Sequence, residues 1–255
     1  MKRASLSYGP AHAQVAEIWR PPEEPGYHRP VVVLIHGGFW RQVYTKRLMH
    51  PLAAAVVRHG WVAYNIEYRR VGPFGGGGWP ETFADVSAAV NALSDVDGID
   101  RTRIVTCGHS AGGHLALWAG TARPTVGPAR SVNVRAAISL AGVVDLAAAA
   151  RLGLGGGAVD ALMGGGPDDV PERYALGSPA AQLPLGIPQY LVHGTADSSV
   201  PASLSAAYVD RAVALGDDAT FVPLAGAGHM DMIKPAGAAF HQVTGVLDRF
   251  STPPI

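Results

Sequence analysis

Residues 31–35 read Val-Val-Val-Leu-Ile, five apolar side chains in a row, four of them β-branched. Successive side chains of a strand point to opposite faces, so this run suits a strand with neither face in water. That is the signature of a parallel sheet covered by helices on both sides. Comparable runs recur at 61–66, 103–107, 134–140, 189–192 and 220–224. Helical spacing lies between them. Over 81–96, Phe83, Val86, Val90 and Leu93 fall on one helix face, and Pro80 just before them suits a helix start. A helix is also expected over 113–122. Leu204, Tyr208, Ala212 and Leu215 make another face, and Phe240, Val243, Leu247 and Phe250 a further one. Strands alternating with helices imply an α/β fold with a mostly parallel central sheet and helices on both faces.

Two segments depart from this rhythm. Residues 14–19 alternate apolar and polar before a Pro-rich break at Pro21 and Pro22, which predicts an antiparallel strand at the sheet edge. Residues 151–188 are punctuated by Gly and Pro and are too long for a simple connection. They are expected to form short helices, either as a cap-like insertion over one end of the sheet or as a surface excursion. The 255 residues are otherwise expected to form a single domain.

Twenty Lys and Arg balance twenty Asp and Glu, so the chain lacks the basic excess that nucleic acid or an anionic membrane demands. Cys107 stands alone, which excludes an internal disulfide or a multi-cysteine metal cage. With no apolar leader after Met1, a cytoplasmic location is expected. A homodimer is left open.

The strongest local signal is Gly108-His109-Ser110-Ala111-Gly112, between the strand at 103–107 and the helix at 113–122. A nucleophile on a sharp strand-to-helix turn needs small neighbours two residues either side, and both are glycine. The turn also sets its hydroxyl at a helix N-terminus, where developing negative charge is favoured. His36-Gly37-Gly38-Phe39-Trp40 follows the strand at 31–35. Backbone N–H groups of Gly37 or Gly38, with that of Ala111, are candidate donors to an oxyanion.

A serine nucleophile needs a base, and the base an orienting acid. His229, in the glycine-flanked loop after the strand at 220–224, is the preferred base; His193 is the rival. Asp197, in the loop after 189–192, is the preferred acid, with Asp145 and Asp231 as alternatives. Each preferred residue lies just past the C-terminal end of a strand, where open parallel sheets place their sites. Phe39, Trp40 and Trp79 offer an aromatic wall to the substrate, or simple packing, and His109 adjoins the nucleophile as a further substrate contact. No metal-ligand spacing is present, and no cofactor or metal is expected.

These motifs, with Glu67-Tyr68-Arg69-Arg70, Trp79-Pro80, Gly142 to Asp145, Ser178-Pro179 and His193-Gly194-Thr195-Ala196-Asp197, resemble the α/β-hydrolase superfamily. The resemblance runs through most of the chain. It is specifically to small serine esterases related to kynurenine formamidase (arylformamidase) and to hormone-sensitive-lipase-like carboxylesterases. It implies an acyl-enzyme mechanism on a small ester or activated amide. The order Ser110, Asp197, His229 agrees with that superfamily. Phe39 stands where the lipase-like branch carries a third glycine, and the large N-terminal cap of many such esterases is not expected. The alternatives are a prolyl-oligopeptidase-type peptidase, for which Glu67 is a candidate amine holder, and a non-catalytic binding protein on the same scaffold.

Overall fold

The computed structural model describes every residue except 23, 25, 122–125, 130, 254 and 255. Its strands are β1 (Lys2–Ser7), β2 (Val15–Arg20), β3 (Arg29–Ile35), β4 (Val62–Ile66), β5 (Ile99–His109), β6 (Val134–Leu140), β7 (Gln189–Gly194) and β8 (Ala219–Leu224). They form one sheet in the order β1-β2-β4-β3-β5-β6-β7-β8. β1 pairs antiparallel with β2, and β2 with β4; every later pairing is parallel. The helices are α1 (His50–Arg58), α2 (Glu81–Asn91), α3 (Ala111–Gly120), α4 (Leu146–Arg151), α5 (Ala158–Met163), α6 (Pro171–Gly177), α7 (Ala202–Ala214) and α8 (Ala238–Arg249).

The run at 31–35 is sandwiched as its composition demands. Val31, Val33 and Ile35 join the core under α2 and α3, while Val32 and Leu34 join the core under α1 and α8. A third cluster packs Tyr208, Val209 and Ala212 of α7 against Ala137 and Leu191. Among the described residues, no helix is long and apolar enough to cross a membrane.

The antiparallel strand expected at the edge is second from it, because β1 pairs outside it from Lys2↔Arg20 to Ser7↔Val15. β1 is exposed almost throughout, and Leu6 alone, packed on the core, is too little to betray it. The helix expected over 81–96 keeps α-form only to Asn91 and ends in a 3-10 turn, Ala92–Asp95. The end expected for the helix over 113–122, Ala122, lies outside the described residues.

The parallel register decides what meets at the C-terminal rim. Ile35 pairs with Gly108, so Gly37 and Ser110 lie two residues beyond matched positions on adjacent strands. His109 pairs with Leu140, Leu140 with Val192, and His193 with Pro223. The segments leaving β3, β5, β7 and β8 therefore emerge along one edge.

Candidate active site

Ser110 joins β5 to α3 with φ 56° and ψ −119°, a conformation that a non-glycine residue holds only under constraint from its surroundings. The constraint is contact. A methyl group on Gly108 would lie 1.9 Å from the Gly112 oxygen, and one on Gly112 would lie 2.0 Å from the Ile35 oxygen. The two flanking glycines thus let the turn close against itself and against the end of β3. Ala111 occupies the first position of α3, where its N–H has no helical acceptor.

Asp197 gathers four donors. Its Oδ2 accepts from His229 Nδ1 at 2.7 Å and from His193 Nε2 at 3.1 Å. Its Oδ1 accepts from the backbone N–H groups of Ser199 and Val200, at 2.8 and 2.9 Å. Burial alone would raise this carboxyl, but the hydrogen bonds from His193, His229, Val200 and Ser199 outweigh it and hold it well below the usual carboxylate range. An ionised Asp197 fixes the proton of His229 on Nδ1 and leaves Nε2 bare, the tautomer a base requires. The His229 side chain is 13% exposed. The Ser110 hydroxyl makes no hydrogen bond to His229 in this structure; such contacts commonly tighten only once substrate is bound.

The rivals are engaged elsewhere. His193 is buried, with Nδ1 2.8 Å from Ser205 Oγ and Nε2 also 3.0 Å from the Val200 oxygen, so neither nitrogen is free to act as base. Asp145 caps α4 through the Ala148 N–H. Asp231 accepts from Gly228 N and pairs with Lys234. Glu67 is buried against His36 and Arg70 and takes the Lys46 N–H, so it has no face to offer a substrate amine.

The loop after β3 lies against the serine. A methyl on Gly37 would sit 2.9 Å from Ser110 Cβ and 2.6 Å from the His109 oxygen. Gly38 has φ 111°, and its carbonyl accepts from Arg41 N at 3.0 Å to close the turn.

Two expected substrate contacts are corrected. Trp40 has no accessible surface and packs edge-on against His114, centroids 5.4 Å apart, so it belongs to the core. His109 is 2% exposed; its Nε2–H donates to the His229 carbonyl at 3.1 Å, and its ring lies 4.6 Å from the His229 ring. Burial first, and then the neighbouring His229, push its pKa down to about 3. His109 therefore holds the backbone of His229 as a neutral ring.

Phe39 and Trp79 are half-buried and meet residues from the 151–188 segment. A methyl on Gly155 would lie 2.4 Å from the Phe39 ring, and Arg41 Nη2 donates to the carbonyls of Gly155 and Gly156 at 2.7 and 3.0 Å. The backbone N–H of Trp79 donates to the Leu162 carbonyl at 2.7 Å, and its ring packs on Phe83. Among the described residues no group of three metal-ligating side chains occurs.

Comparison with known proteins places this arrangement. The family profile described as BD-FAE matches residues 17–211. The chain belongs to the BD-FAE family. This member has the α/β-hydrolase fold: Thermogutta terrifontis esterase 2, solved with propionate, is 25% identical with a TM-score of 0.76, covering 97% of this chain and 92% of that one. The same esterase is recorded phosphorylated by paraoxon. Esterase LipC of Mycobacterium tuberculosis (strain ATCC 25618 / H37Rv) is 29% identical over 97% of this chain and 65% of its own length. Esterase LipQ of the same organism is 28% identical over 80% and 51%. This BD-FAE chain thus spans half to two-thirds of those relatives.

Proposed function

We infer that this protein is a serine carboxylesterase acting on small esters, with Ser110 as nucleophile, His229 as base and Asp197 as its orienting acid. The observation that carries the reading is the 2.7 Å contact between Asp197 Oδ2 and His229 Nδ1, on the same sheet edge as the strained turn that presents Ser110. His229 Nε2 takes the hydroxyl proton as Ser110 Oγ bonds to the acyl carbon. The carbonyl oxygen becomes an anion facing the N–H groups of Gly38 and Ala111, with Gly37 the further candidate from its own place against Ser110. Collapse expels the alcohol, which takes the proton from His229. Water then repeats the sequence, and the carboxylic acid leaves. Phe39 and Trp79 form the wall facing the acyl or alcohol group.

Named relatives that are esterases support an ester over a formamide, and the organophosphate adduct of the Thermogutta enzyme supports a phosphorylatable nucleophile. The decisive experiment pairs fluorophosphonate labelling with p-nitrophenyl ester hydrolysis. Wild-type protein is expected to label once, at Ser110, and to turn over. Ser110→Ala should not label and should lose about 10³-fold or more in kcat, as triad removal does elsewhere, with unchanged circular dichroism. A variant keeping more than a few per cent of activity removes Ser110 from the mechanism. N-formylkynurenine, run beside acyl esters of rising length, tests the arylformamidase variant of the reading.

A further inference from the structure

His36 ends the first core strand and is wholly buried, with both ring nitrogens engaged. Nδ1 lies 2.7 Å from the Gly37 carbonyl oxygen, and Nε2 lies 2.8 Å from Glu67 Oε1. A neutral imidazole carries one N–H and one lone pair. It can satisfy a carbonyl and a carboxylate at once only if a proton is shared into the pair, on Glu67 or on the ring.

The surroundings decide where that proton sits. Glu67 Oε2 accepts from Lys46 N–H at 3.0 Å, Oε1 accepts from Tyr68 N–H at 3.3 Å, and Arg70 Nε stands 3.4 Å from Oε1. Every group around the carboxyl is a donor, and one is a guanidinium. Burial alone would raise Glu67, yet the His36 hydrogen bond leads a set of contacts that lowers it. The ring environment agrees. Tyr68 stacks on His36 at 4.5 Å with planes 14° apart, presenting a π face to a cation, and its hydroxyl donates to the His36 carbonyl. Tyr8, whose hydroxyl donates to the Glu67 carbonyl, is a further titratable group beside the pair.

We propose that His36 is a buried imidazolium, donating from both nitrogens, and that its grip on the Gly37 carbonyl makes it the positioning residue for the oxyanion donor at Gly38. A trans peptide sets C=O and N–H on opposite sides. Holding the Gly37 oxygen toward His36 turns the Gly38 N–H the other way, and that N–H has no partner among the described residues. With Glu67 ionised and Arg70 beside it, the cluster behind the loop carries one net positive charge. Such a charge, fixed in a dry setting, favours an anion at the serine.

The first test does not depend on the esterase reading. Protein labelled with ¹⁵N in its histidine rings should show two protonated, slowly exchanging ring nitrogens for His36 at neutral pH, assigned by their loss in His36→Gln. A single protonated nitrogen would overturn the proposal even if the protein hydrolyses esters well. The second test rests on that reading. Glu67→Gln should reduce His36 to one ring proton, and His36→Phe, which keeps the stack on Tyr68 but has no donor for the Gly37 carbonyl, should lower kcat about 10²-fold, the loss typical of one missing oxyanion donor, with KM changed far less and circular dichroism unchanged. Unchanged kcat in a folded His36→Phe would overturn the positioning role; an inactive wild-type protein with a doubly protonated His36 would sink the esterase reading and leave the charge assignment standing.

Discussion

Asp197 accepts more hydrogen bonds than holding His229 requires. His193 competes with His229 for the same oxygen, and that competition weakens the carboxylate as an acceptor. Replacing His193 by a ring without donors should therefore strengthen the Asp197–His229 bond in the charged state of the base. We expect His193→Phe to move the acid limb of the kcat/KM–pH profile to higher pH. It should also lower kcat about tenfold (~1.4 kcal/mol) through looser placement of Asp197. An unmoved limb in a pH-rate series on p-nitrophenyl acetate would show that His193 serves packing alone. The sequence singles out Ser110, Asp197 and His229 as candidates through local signals, glycine spacing and a strand end, and the fold brings Asp197 and His229 into hydrogen-bond contact. The sequence leaves the second histidine as a rival base, because four residues of separation do not tell which way a ring faces. Trp40 and His109 are misread for a related reason. Nearness to a nucleophile is written in the chain, whereas burial depends on what other elements cover, and His114 and the His229 loop do the covering.

At the scale of elements, the parallel strands are legible because each is apolar on both faces, and the helices between them because they are apolar on one. β1 escapes because it is short and mostly exposed, with only Leu6 packed on the core beside its ladder with β2. α1 escapes because residues 52–57 are apolar without a break, so the buried stripe of Leu52, Ala53 and Val56 does not stand out in the sequence. The glycine-rich stretch after α4 is tied to the loop after β3 by one exposed side chain, Arg41, through the carbonyls of Gly155 and Gly156. Arg41→Ala should free that stretch without touching the core. Hydrogen exchange of the amides at 153–157 is expected to speed up about tenfold, since hydrogen bonds to charged groups contribute about 1.5–3 kcal/mol each. The thermal midpoint should barely move, as for most surface changes. If exchange at 153–157 stays at its wild-type rate, the Phe39 contact with Gly155 is enough to hold the segment.

The whole molecule carries two histidines that folding forces to be neutral. His114 is fully buried, its Nε2–H donates to the Gly177 carbonyl at 2.9 Å, and burial pushes its pKa from the ordinary 6.5 down to about 4. His109 is pushed lower still, to about 3. In the unfolded chain both take up protons as pH falls through about 6.5. Between there and pH 4 the unfolded state binds protons the native state refuses, so stability falls as pH drops and is fully regained above that window. Each such group contributes a slope of about 1.4 kcal/mol per pH unit where the two states differ by a whole proton. Glutamine at 114 keeps an N–H for Gly177 and cannot titrate. His114→Gln should therefore flatten the fall in urea-unfolding free energy between about pH 6 and 4.5 by close to one proton's worth, while His109 maintains the remaining slope in both proteins. Equal slopes would mean that His114 is charged inside the fold, and that the unpaired Nδ1 finds an acceptor. Because His114 also braces Trp40 and, through Gly177, the end of α6, the pH range of the fold is set at the contact between the core beneath the site and the helices beside it.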